Sequence, residues 1–309
     1  MRRLIAVTLL AIFPVVAAAA EDIDWAYPVT PRPEQHDNTI LKRLPGSTKT
    51  YTQAQIDDPF NPPDWFPDEH PPMPAIVAQG SKPAVRACAQ CHLPSGDGHP
   101  ESSSLAGLPV RYLMQQMSEF KNGGRKGVRA TTMVAIAQAI SDADARAAAE
   151  YFASLKPGVF TKVIETELVP KSYVGAGGMR FAEPGGEKEQ IGNRIIVLPQ
   201  DEARAKSRDP HSGFIDHVPV GSIAKGEALV KTGGGKSAPC VMCHGQNLKG
   251  LGDWPAIAGR PPTYIVRQLN DMKSGARSGE TMALMKGVVE RLTLEDMIAI
   301  AAYVGSRDP

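Results

Sequence analysis

Apolar residues recur at helical spacing in two separate stretches of the chain. Val110, Leu113, Met114, Met117 and Phe120 mark the first, and Ile265, Val266, Leu269 and Met272 the second. Steps of three and four residues place side chains on one helix face, so each stretch predicts an amphipathic helix. A second pattern follows each: Ala145, Ala148, Ala149 and Phe152, then Met297, Ile300, Ala301 and Val304. Ser141 with Asp144, and Thr293 with Asp296, open these later helices as capping-box-like starts. In each, a hydroxyl accepts from a free N–H of the first turn and an acid sits at the positive end of the helix dipole. The small alanines permit close packing, with Tyr151 and Tyr303 placed to close the two cores. Neither stretch shows strand alternation. The expected fold class is therefore all-α within these regions.

The two regions are copies of one another. "LAGLPVRYLMQQMSEFKNGGR" (105–125) aligns without gaps with "IAGRPPTYIVRQLNDMKSGAR" (257–277), at an offset of 152 residues. Gly107 matches Gly259, Tyr112 Tyr264, Gln116 Gln268, Lys121 Lys273, Arg125 Arg277 and Tyr151 Tyr303. A constant offset over this length marks a duplicated domain. The copies span 76–156 and 222–309.

Three other segments are expected. Residues 1–20 read as an export signal: Arg2 and Arg3, an apolar run from Leu4 to Val16, and Ala18-Ala19-Ala20 before the cut. The run is shorter than a normal membrane span and contains Pro14, which argues against an anchor. Residues 21–75 form a Pro-rich arm ending in "PFNPPDWFPDEHPPMP"; its clustered prolines exclude a helix and favour an extended course over the surface. A disordered tail is the alternative there. The connector, 157–221, contains one expected strand, "RIIVLP" (194–199), paired as a short β hairpin with "FTKVIETELV" (160–169), because a lone strand leaves its backbone unsatisfied.

The chemistry lies in two short motifs, Cys88-Ala89-Gln90-Cys91-His92 and Cys240-Val241-Met242-Cys243-His244, which use all four cysteines of the chain. Cys-X-X-Cys-His holds haem through two thioether bonds and offers the His to iron, so two covalently bound haem c groups are expected. His92 and His244 are the first axial ligands. For the opposite face of each iron, Met133 and Met285 are the aligned methionines, expected in loops ahead of the last helix. Met282, three residues before Met285, competes in the second copy. The remaining methionines fit apolar helix faces. Arg125 and Arg277, with Lys121 and Lys273, are candidate contacts to haem propionates, or else solvated helix ends. Pro255 is placed to offer its carbonyl to His244; Ser103 stands at the matching position, where the same contact would need a different geometry. His36, His70, His99, His211 and His217 have no partner in the other copy and are expected to be solvated loop residues.

Composition adds constraints. At 309 residues the chain suits two domains with connections, and 29 Gly and 27 Pro imply long irregular stretches. A net charge of +1, falling to −1 if Arg2 and Arg3 leave with a leader, offers no basic stripe for nucleic acid.

These residues together resemble the tandem diheme class I cytochromes c of proteobacterial periplasms, the c4 type. The resemblance rests on "CAQCH" and "CVMCHG", the "LAG/IAG…Y…Q…K.G.R" stretch, the aligned methionines and the S/T-x-x-D helix start. It implies two tandem cytochrome c domains that exchange electrons internally. It also implies that they carry electrons between a membrane quinol-oxidising complex and terminal oxidases or other periplasmic acceptors. Leu93-Pro94 departs from the family, which has Gly after the first His; the long arm and connector are further departures. Two other functions carry the same motifs: a diheme enzyme of the peroxidase or thiosulfate-oxidising kind, and a cytochrome subunit of a periplasmic dehydrogenase complex. Aligned methionines in both halves favour two equivalent carriers with no substrate chemistry, since full coordination leaves no open iron site.

Overall fold

The computed structural model describes residues 23–28 and 30–309; the expected export signal at 1–20 lies outside the described residues. The arm holds the single-turn helix α1 (Gln53–Ile56), and a second single turn, α2 (Ala75–Ala78), runs from its end into the first repeat, whose core takes Ile76 and Val77. Thr52 and Gln55 form a full capping box on α1, which explains a helical turn in so polar a segment. Within the proline cluster Pro67–Glu69 makes a turn of 3-10 helix, so the expectation of an unbroken extended course is corrected. Proline is tolerated there because the first N–H groups of a helix have no internal partner. Leu44, Ile56, Trp65 and Phe66 bury one another in a small core of the arm's own. Tyr51 packs edge-on against Trp65 with ring centroids 4.7 Å apart.

The first repeat folds as α3 (Ala89–His92), α4 (Val110–Lys121), α5 (Thr131–Ala139) and α6 (Asp142–Ser154). Its core gathers Leu113 from α4 and Ala145, Ala148, Ala149 and Phe152 from α6, the apolar faces read from the sequence. Ser141 caps α6 by accepting from Asp144 N–H.

The connector departs most from expectation. It contains seven short strands: β1 (Thr161–Glu165), β2 (Leu168–Pro170), β3 (Ser172–Val174), β4 (Arg180–Ala182), β5 (Lys188–Gln190), β6 (Ile196–Pro199) and β7 (Phe214–Val218). A short helix, α7 (Glu202–Lys206), lies before β7. The expected strands exist as β1 and β6 but do not pair with each other. Both pair with β7, which runs parallel to β1 and antiparallel to β6. "FIDHV" (214–218) alternates poorly, because four of its residues, Asp216 included, are buried on a central strand. β2 with β5 and β3 with β4 add two antiparallel ribbons. The named elements of both repeats are helices, as expected, whereas the single hairpin expected in the connector is corrected to three small sheets.

The second repeat holds α8 (Ser222–Thr232), α9 (Val241–His244), α10 (Pro262–Ser274), α11 (Met282–Val289) and α12 (Leu294–Gly305). Thr293 and Asp296 complete a capping box on α12, and Asp296 also binds Lys225 and Lys236. α8 crosses α12 at Gly226, where any Cβ would strike the Ala299 carbonyl. Among the described residues no helix is long and apolar enough to cross a membrane.

Candidate haem sites

Helical geometry assembles each motif. α3 and α9 are single turns in which His92 N–H donates to Cys88 O at 3.0 Å and His244 N–H to Cys240 O at 2.9 Å. A four-residue step puts the first Cys and the His on one face. Burial pushes the Cys88 thiol up to about 12 and the Cys240 thiol to about 11. All four thiols are free of disulfide bonds and so available for thioether formation.

The loops after the two His residues match bond for bond. Gly98 N–H reaches His92 O at 3.0 Å and Gly250 N–H reaches His244 O at 2.9 Å. His92 Nδ1 lies 2.8 Å from Ser103 O, and His244 Nδ1 lies 2.8 Å from Pro255 O. The Pro255 contact is as expected; the expectation that Ser103 would need another geometry is corrected. A backbone carbonyl does not depend on its side chain. Each carbonyl calls for a proton on Nδ1 and leaves the Nε2 lone pair free for a metal. Burial also holds both imidazoles below their usual pKa range, in the neutral form that ligates.

Leu93 explains its own departure from the family. It adopts φ 61° and ψ 157°, nearly the φ 84° and ψ 156° of its counterpart Gly245. A left-handed φ costs a non-glycine residue roughly 1–2 kcal/mol. The Leu93 side chain is buried in the larger core, which offsets that strain.

The methionines stand at matched places but not in loops. Met133 is the third residue of α5 and Met285 the fourth of α11. The runs "TTMVAIAQA" and "MALMKGVV" continue the helical ladder, because Ala, Met and Leu favour it and no Gly or Pro precedes the methionines. Met133 is half-buried, and Met285 packs part-buried against the second core. Met282 is buried at the first turn of α11.

Arg125 and Arg277 are not solvated helix ends. Arg277 is 5% exposed. Arg125 Nη1 donates to Gln116 Oε1 and its Nη2 to Gln268 Oε1, both at 2.9 Å. Arg277 donates to the same two oxygens at 2.9 and 2.8 Å. Neither Arg has a carboxylate within salt-bridge distance among the described residues. Arg277 Nε and Gln116 Nε2 are buried without a partner. Burial alone would raise the Tyr264 phenol, yet Arg125 and Arg277 pull it down to about 8. This concentration of buried positive charge suits anions. Lys121 and Lys273 are both exposed, and Lys273 donates to Leu292 O at 2.5 Å, in the connection between the last two helices.

Three of the histidines expected to be solvated, His70, His99 and His217, are not. His99 is 9% exposed beside Ser102, and burial and the neighbouring arginines push it down to about 3. His217 lies buried on β7, with Nδ1 3.1 Å from Ile196 O. His70 pairs with Asp64 at 3.2 Å. Free thiols, an oriented imidazole and buried cations with no carboxylate in salt-bridge distance together form a donor set that haem c fits.

Comparison with known proteins agrees. The family model described as cytochrome c matches residues 77–156. Cytochrome c-554(548) of Halomonas halodenitrificans is 35% identical over 90 residues, covering 29% of this chain and 100% of its own length. Thiosulfate dehydrogenase electron acceptor of Thiomonas intermedia is 27% identical, covering 73% of this chain and 80% of that protein. Cytochrome c4 of Azotobacter vinelandii is 27% identical over 74% of this chain and 87% of its own.

Proposed function

The chain belongs to the cytochrome c family, and we propose on that premise that it is a periplasmic carrier of single electrons using two His/Met-ligated haems. It is a c4-like diheme protein with two covalently bound haem c groups. The observation that carries the reading is the equivalence of the two sites: the same Nδ1–carbonyl contact at 2.8 Å, and methionines in matched helices. Diheme enzymes depend on unequal haems; nothing in these two donor sets differs in kind.

Haem c supplies a one-electron iron couple with a conducting ring edge. The protein does the rest. Cys88, Cys91, Cys240 and Cys243 would hold the haems, His92 and His244 would ligate iron through Nε2, and Met133 and Met285 would supply the further ligand that excludes oxygen and peroxide. A neutral thioether favours ferrous iron and raises the potential relative to two imidazoles. Arg125 and Arg277 would bind propionates at the junction of the repeats, where charge-assisted bonds replace lost solvation. The donor we infer is a thiosulfate dehydrogenase, because the Thiomonas relative is named as the electron acceptor of that enzyme.

Stopped-flow mixing of oxidised holoprotein with a thiosulfate dehydrogenase and thiosulfate tests this reading. Reduction of both haems is expected, with no thiosulfate consumed when the dehydrogenase is omitted. Turnover by the isolated protein would instead make it an enzyme.

A further inference from the structure

The two repeats carry the same attachment turn, but only one of them is covered. At matched positions Gln90 is 6% exposed and Met242 67%, while His99 is 9% exposed and Leu251 59%. Ser102 is half-buried, whereas its counterpart Trp254 is exposed. The arm and connector make the difference. Pro59 O accepts from Ala87 N–H at 2.9 Å, just ahead of Cys88. Arg208 donates to Ile56 O at 3.2 Å and also to Gln90 O, tying connector, arm and motif together. Trp65 Nε1 bonds Ser207 O at 2.7 Å and fixes the arm over this face. The second repeat has no such cover among the described residues.

We propose that Met242, Leu251 and Trp254 form the docking face for a redox protein presenting an apolar patch rimmed by carboxylates. We propose further that electrons enter and leave the whole molecule here, the first haem exchanging only through the second. The proposal rests on the carrier reading and adds the site and the partner's chemistry. An apolar patch with an exposed Trp is the composition of an interface centre. Its occupant's chemistry is legible in the other repeat, where the same face is closed by "DDPFNPPDWFPDE" (57–69), prolines and aromatics interleaved with five acids. The second face is the more basic of the two: Lys249 stands exposed where the first has buried Asp97. Its ammonium bonds the Pro309 carbonyl, and exposed Asp253 on the same loop is paired with Arg111 of α4.

Two small oxidants test this on the reduced holoprotein, with both haems followed by stopped flow: trianionic hexacyanoferrate(III) and tricationic tris(phenanthroline)cobalt(III). The double variant Leu251→Glu, Trp254→Glu is expected to slow hexacyanoferrate at least fivefold at both haems without slowing the cobalt complex. Arg86→Glu, an exposed charge change beside the first motif, is expected to leave both rates unchanged. The port assignment is overturned if the double variant oxidises at wild-type rates, if only one haem slows, or if Arg86→Glu slows one haem. Equal slowing by both oxidants also overturns it, since that reports a damaged haem site. Wild-type haems that exchange electrons with neither complex would instead sink the carrier reading itself.

Discussion

Arg125 and Arg277, one from each repeat, share the same two acceptors, Gln116 Oε1 and Gln268 Oε1, through bonds of 2.8 to 2.9 Å. Their backbones also meet as an isolated antiparallel bridge. Two buried like charges side by side cost several kcal/mol unless an anion compensates them. Two propionate-bearing groups meeting this pair would explain why duplication preserved both arginines.

Arg125→Met should therefore lower haem potentials on the order of 50 mV, about 1 kcal/mol for a one-electron couple, because a cation stabilises the added electron. Arg125→Lys should retain most of the potential while losing the fork to two glutamines. Spectroelectrochemical titration checks both; unchanged potentials in the Met variant would remove the propionate assignment.

Met133→Ala and Met285→Ala should each abolish the iron–thioether charge-transfer band of one haem and lower that haem's potential. Met282→Ala should leave the band intact while loosening the turn it fills. If Met282→Ala alone removes the band from the second haem, the ligand in that repeat is Met282.

Asp296 sets an acid limit on the second repeat. Burial opposes its charge, but bonds from Lys236, the Thr293 N–H and Lys225 hold its carboxyl well below the usual range. A depressed folded pKa means the contribution is complete above the unfolded value, roughly 3.9, and fades as pH falls through the folded one. Asp296→Asn should cost about 1–2 kcal/mol at pH 7, and its gap from wild type should narrow below about pH 4. Urea melts at several pH values measure this; a gap independent of pH would contradict the assignment.

Gly226→Ala should destabilise the second repeat by about 2 kcal/mol or more, because the new methyl meets the Ala299 carbonyl of α12. Thermal melting of the holoprotein provides the test, and an unshifted Tm would mean the two helices can separate freely.

What the sequence made legible was what repeats and what obeys local rules. The constant offset located both motifs, the aligned methionines and the helix starts at Ser141 and Thr293, because caps and periodicity are local physics. The sheet was half legible. β1 and β6 are apolar enough to read as strands, but β7 carries Asp216 and His217 in buried positions and shows no alternation. Its pairing to two distant strands is a tertiary fact. The Arg–Gln cross was hidden for the same reason: each arginine's partners lie on both sides of the repeat junction. His92 gave the opposite lesson, since its carbonyl partner needed only a backbone position that duplication preserved.

Near-infrared magnetic circular dichroism of the ferric holoprotein tests the central claim most directly. Two low-spin haems, each with its own iron–thioether band, are the predicted result. A high-spin haem, or one with bis-imidazole character, would contradict the picture of two equivalent His/Met carriers.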